Sequence, residues 1–145
     1  MIKLSIPIVE EWLRGENTIF LATAEGDQPR VRPVTLVENA GELFVLTGLK
    51  DAKVAQIKKN KKVEVVRLFQ FEKGGGYVRF SARAKIIEDS KIRERMAKST
   101  SFFSTYFKSA DDPNFVLLHL APVKIEYMKP GQMYPDPVEK LDFTK

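Results

Sequence analysis

Between residues 77 and 86 the chain alternates without a break. Val78, Phe80, Ala82, Ala84 and Ile86 fall on one side, and Tyr77, Arg79, Ser81, Arg83 and Lys85 on the other. A period of two puts successive side chains on opposite faces of an extended backbone, so residues 77–88 read as a strand with one face in a core. The same signature recurs over residues 18–24, 29–38, 43–47, 63–71, 115–120 and 123–128. Between these runs lie Glu25-Gly26-Asp27-Gln28, Asn39-Ala40-Gly41-Glu42 and Gly74-Gly75-Gly76, all turn chemistry. About six strands on short connections predict a small closed or nearly closed antiparallel barrel.

Helical spacing fills the remaining segments. Ser5, Pro7, Ile8, Val9, Trp12 and Leu13 predict a short amphipathic helix ended by Gly15. A lysine-rich segment opening at Gly48 carries Val54, Ala55 and Ile57 over about three helical turns to Asn60. Residues 89–108, with Ile92, Met96, Phe102, Phe103 and Tyr106, read as helix, and residues 109–113 as a polar break. We therefore expect one domain over residues 1–128 and a tail over 129–145, rich in proline, that packs on the barrel or a partner subunit.

Composition narrows the chemistry. The 145 residues hold no Cys and a single His, which excludes disulfides, a Cys nucleophile and a His-rich metal cluster. No apolar run is long enough for a membrane-spanning helix and no basic-then-apolar leader opens the chain, so the expected location is cytoplasmic. The net charge of +5 is concentrated. Lys50, Lys53, Lys58, Lys59, Lys61 and Lys62 face only Asp51 across residues 50–62, and the other 132 residues balance to zero. A basic protein suggests a nucleic-acid or anion binder. One short segment is not a basic face, and the strands offer no platform of paired exposed aromatics for stacking bases.

Most catalytic constellations fail on inspection. Gly74–Gly76 lacks the Lys-Ser/Thr ending of a phosphate loop and opens a strand, which makes it a hairpin turn. His119 stands in an apolar run with no second imidazole, as structural histidines do. Asp111-Asp112 precedes Pro113 and reads as a turn or cap. The polar side of residues 77–85 suits an ordinary solvated face, a subunit interface or a ligand-facing wall. What remains is an anion corner. Arg30 and Arg32 share a face of one strand, Thr47 ends the next, and a helix begins within a few residues with Lys53 bordering its buried side. Helix starts offer unpaired N–H groups and a partial positive charge, which favour a phosphate.

At these residues the chain resembles the pyridoxamine 5'-phosphate oxidase-like, FMN-binding split-barrel family. The likeness runs through Thr18-Ile-Phe-Leu-Ala-Thr-Ala, Gly26-Asp-Gln-Pro-Arg-Val-Arg-Pro, Leu43-Phe-Val-Leu-Thr-Gly, on through Lys53 to Asn60-Lys-Lys-Val, and Tyr77-Val-Arg-Phe-Ser-Ala-Arg-Ala. Ser109-Ala-Asp-Asp-Pro-Asn-Phe is similar to a nitroimidazole-reductase-like (Nim-type) branch. The resemblance implies a mainly β fold, a six-stranded antiparallel split β-barrel of Greek-key type. It also implies a homodimer with flavin at the subunit interface.

By position the resemblance assigns Arg32, Pro33 and Val34 to a strand that meets the flavin and its phosphate, with Arg30 beside them. It assigns Leu46 and Thr47 to the next strand's flavin contacts, Lys53 (with Lys50 near it) to the phosphate, and Tyr77 to the ring. Met128 stands where the oxidases have a tryptophan, and Pro130-Gly-Gln-Met-Tyr-Pro replaces their Arg and His pair for the substrate. Asp51-Ala52 replaces a Ser-Arg before the helix lysine. These departures leave oxidation of pyridoxamine phosphate the less expected activity. The expected function is an FMN-dependent oxidoreductase that reduces a small electrophile, a nitro-compound or quinone, with NADH or NADPH. The alternative is a non-catalytic binder of flavin or another phosphate ligand. The family also hosts haem-associated and deazaflavin-using members.

Overall fold

The computed structural model describes residues 2–4, 11–72, 74–137 and 141–143. The expected N-terminal helix falls partly outside them: residues 5–10 are not described, while Glu11 and Trp12 are helical and Gly15, at φ +76°, ends the turn. Strand β1 (Ile2–Leu4) pairs antiparallel with β9 (Leu141–Phe143). The body consists of β2 (Glu16–Glu25), β3 (Gln28–Asn39), β4 (Glu42–Gly48), β5 (Lys62–Phe71), β6 (Gly74–Ile87) and β7 (Phe115–Met128). Helix α1 (Ala52–Lys59) lies between β4 and β5, and α2 (Ser90–Ser99) and α3 (Phe103–Tyr106) between β6 and β7.

The six long strands close on themselves. Their order is β4-β3-β2-β5-β6-β7, every neighbouring pair is antiparallel, and β4 pairs again with β7 through Leu43↔Leu120 to Gly48↔Phe115. This is the split barrel. Closure removes the free edges that an open sheet of this size would expose. The short β8 (Asp136–Pro137) adds to β7 opposite Glu126 and Tyr127.

Alternation decides what lies inside. Ile19, Leu21, Val65, Val78, Phe80, Ala82, Leu118 and Leu120 all turn inward and are buried. Trp12 packs at the end of the barrel near Phe69, ring centroids 3.7 Å apart, and Arg67 donates to its carbonyl. Helix α1 packs across the opposite end through Val54 and Ile57. A second apolar cluster lies outside the barrel, where Phe44 and Leu117 meet Met96 of α2 and Phe103 of α3.

Four sequence expectations are corrected. Residues 115–120 and 123–128 form one strand, not two. The register with β6 slips between Ser81 and Ala82, whose partners are Lys124 and Pro122, so Val123 is the extra residue of a bulge that carries the strand past the proline. The glycines at 74–76 are not the turn, since they pair with Phe71, Gln70 and Phe69, and the turn precedes them. The segment opening at Gly48 becomes helical only at Ala52, because Asp51 supplies the cap. The helix over 89–108 breaks at Thr100, which is extended at φ −88°, ψ 121°. There the Ser99 hydroxyl turns back to the Arg95 carbonyl, and the Ser101 N–H and hydroxyl both bond Glu16, so side chains replace the helical ladder.

Candidate functional site: a buried cationic corner at the start of helix α1

Strand β3 turns Arg32 inward, directly across from Leu21, because the alternation that buries Leu36 carries through Val34 to it. A guanidinium inside the barrel mouth needs acceptors, and it has three. Nη1 donates to the Leu21 carbonyl at 3.2 Å and to Thr23 Oγ1 at 2.8 Å, and Nη2 donates to Gln56 Oε1 at 2.7 Å. The Thr23 hydroxyl in turn donates to the same Gln56 oxygen at 2.5 Å. Burial pulls the Arg32 pKa below its ordinary value and Asp51's charge pulls the other way; the group remains a cation.

Helix α1 presents Gln56 and Lys53, three residues apart and so on one side. Lys53 is only 4% exposed. Its ammonium lies 2.7 Å from Thr47 Oγ1, near the end of β4, and 2.9 Å from Asp51 Oδ2. Asp51 also caps the helix, its Oδ1 accepting from the Lys53 N–H at 3.1 Å. Burial by itself would raise the Asp51 carboxyl. The Lys53 hydrogen bonds and charge, with Arg32 further off, hold it below its ordinary value. Lys53 thus pairs directly with a carboxylate whose own side chain is 45% exposed, and the Arg32 charge acts on it from further off.

The corner unites Arg32, Thr47 and Lys53 as the sequence reading expects. Arg30 shares the inward face of β3, but it spends its charge on Glu25 at the exposed hairpin end, at 2.9 Å. Val34 packs against the core, while Pro33 faces outward opposite Phe20. Leu46 points away from the corner into the second apolar cluster, because it alternates with the inward Val45 and Thr47. Lys50 is exposed. Tyr77 and Met128 are cross-strand partners elsewhere on the barrel. They line a cavity of about 490 Å³ with Leu68, Phe69, Gln70, Gly75 and Gly76.

Two members of the corner were not anticipated. Thr23 is a lone hydroxyl in the inward series Ile19, Leu21, Thr23, and Gln56 follows Lys53 at helical spacing. Both signals are present in the sequence, but only the closed barrel aims them at Arg32.

Comparison with known proteins places this geometry. Residues 7–129 match the model of the pyridoxamine 5'-phosphate oxidase family. The chain belongs to that family. General stress protein 26 of Bacillus subtilis is 27% identical over 120 residues, 82% of this chain and 84% of that protein. A NimC/NimA family protein from Clostridium acetobutylicum superposes with a TM-score of 0.71 at 25% identity, covering 91% of this chain and 90% of its own. An FAD-binding protein from Mesorhizobium loti reaches a TM-score of 0.70 at 16% identity, over 88% and 97%. The family likeness spans the barrel and the corner together. No helix among the described residues is long and apolar enough to cross a membrane.

Proposed function

We propose that the protein binds FMN through the corner at the start of α1 and uses it to reduce a small electrophile with electrons from NADH or NADPH. The observation that carries this is the buried Lys53 ammonium. A cation 4% exposed is costly unless an anion is at hand, and its only charged partner in the described contacts is a half-exposed carboxylate. A phosphate fits there. Asp51 can rotate into water, leaving Lys53, the Thr47 hydroxyl, the first N–H groups of α1 and Arg32 around the site it vacates.

In this reading Lys53 and Arg32 hold the phosphate, and Thr23 and Gln56 keep Arg32 in place. Bound flavin would supply the two-electron chemistry, and the chain would supply position, access and charge. Family membership and the NimC/NimA likeness support a reductase of the nitro-compound or quinone type. Visible flavin absorbance in the purified protein, and NAD(P)H consumption with nitro-compounds or quinones, test the two halves of the proposal. Turnover supports the enzyme, and flavin bound without turnover favours a non-catalytic binder.

We further propose a homodimer. The outer face of β3, β2 and β5 carries Phe20, Val31 and Leu68, the last two 68% and 65% exposed, with Pro33 and Val66 between them in register. A contiguous apolar face of this kind on a small barrel suits a second copy. Tyr77 and Met128 adjoin Leu68 at its margin, away from their own protomer's corner. In a dimer the flavin ring would meet them from the partner. We also propose that the protein is cytoplasmic.

A further inference from the structure

The most unusual feature of the corner is that its best anion position is already taken. Asp51 Oδ1 accepts the Lys53 backbone N–H at 3.1 Å, and Oδ2 lies 2.9 Å from the Lys53 ammonium. The backbone donor at the helix start and the buried cation are the two groups a phosphate would use first. One carboxylate satisfies both.

We propose that Asp51 is a built-in anion that competes with the phosphate of an incoming ligand, and so sets how strongly the site discriminates phosphate-bearing from phosphate-free ligands. The inference rests on the FMN reading for its ligand, but the competition itself is a property of this chain. A bound phosphate must either displace the carboxylate or sit beside it as a like charge. Each route removes part of the affinity that Lys53 and Arg32 would otherwise give. The cost falls on the phosphate alone, because Asp51 has no role toward an uncharged ring. Asp51 is free to leave at modest cost, since its side chain is 45% exposed and water replaces its partners.

Asparagine is the informative substitution. Asn caps a helix about as well as Asp, so Asp51→Asn keeps the start of α1 and removes only the charge. Titration of the full chain with FMN and with riboflavin should show FMN binding tightened by about tenfold in Asp51→Asn, with riboflavin unchanged. Inorganic phosphate is the flavin-independent arm: it should raise the melting temperature of Asp51→Asn more than that of the wild type. Equal changes for FMN and riboflavin, or no change for either together with an equal phosphate response, would overturn the proposal. A phosphate response confined to Asp51→Asn, with neither flavin bound by either form, would uphold Asp51's role and overturn the FMN reading instead.

Discussion

The Arg32 guanidinium donates to Gln56 Oε1 at 2.7 Å, joining strand β3 to a helix 24 residues further along the chain. This bond closes the barrel mouth over the cationic corner. Gln56 accepts from Thr23 as well, so one amide oxygen serves two inward-facing donors. Removing it leaves a half-buried cation and a buried hydroxyl short of an acceptor.

Gln56→Leu should therefore destabilise the fold by about 1–3 kcal/mol, the cost of stranding buried polar groups. Urea unfolding of the two proteins measures it. A change within a few tenths of a kcal/mol would mean that water replaces the amide.

Asp51 gives the fold a pH dependence of known sign. Its carboxyl titrates below the ordinary value of 3.8, so it binds fewer protons folded than unfolded just below that value. Its contribution is fully present above about pH 4 and is lost as pH falls through the folded value. Glu25 and Asp112 are shifted the same way by Arg30 and by backbone donors, so the wild type alone is not diagnostic. The difference between wild type and Asp51→Asn in melting temperature should be flat from pH 5 to 7 and shrink below pH 4. A difference that grows in acid would contradict the assigned contacts.

The β3–β4 hairpin turns on Ala40 and Gly41, at φ 52° and 81°, a pair that suits Asn-Gly better than Ala-Gly. Alanine there carries a Cβ in the left-handed region, which asparagine tolerates more readily. Ala40→Asn should raise stability by about 0.5–1 kcal/mol, read by chemical denaturation, with the barrel register unchanged. A loss would show that the turn is held by something other than its backbone preference.

Much of this arrangement was legible in the sequence. Strict alternation located the strands because each has one face in the core, as at Val78, Phe80, Ala82 and Ala84. Strand spacing and the helix start pointed Arg32, Thr47 and Lys53 to one corner, and the family order agreed with it. What escaped was set by tertiary contact. The bulge at Val123 depends on how β7 crosses from β4 to β6, and the break at Thr100 depends on Glu16, which lies 85 residues before Ser101 in sequence and accepts its N–H at 2.8 Å. Leu46, assigned to the flavin by family position, has its side chain against the second apolar cluster, because alternation tells which residues share a face without telling which face meets a ligand.

The apolar outer face gives a separate prediction. Val31→Glu with Leu68→Glu should convert a dimer to a monomer in analytical ultracentrifugation while the far-ultraviolet circular dichroism stays that of the barrel, since both side chains are already exposed. Identical sedimentation of the two proteins would place the interface elsewhere.

If Lys53 holds the phosphate of a bound flavin, removing its charge must weaken FMN binding. Calorimetric titration of FMN into the wild type and into Lys53→Met tests it most directly, since methionine fills a similar volume without the charge. Saturable binding by the wild type, weakened by about tenfold or more in Lys53→Met, is the predicted result. No FMN binding by the wild type, or equal binding by both, would contradict it.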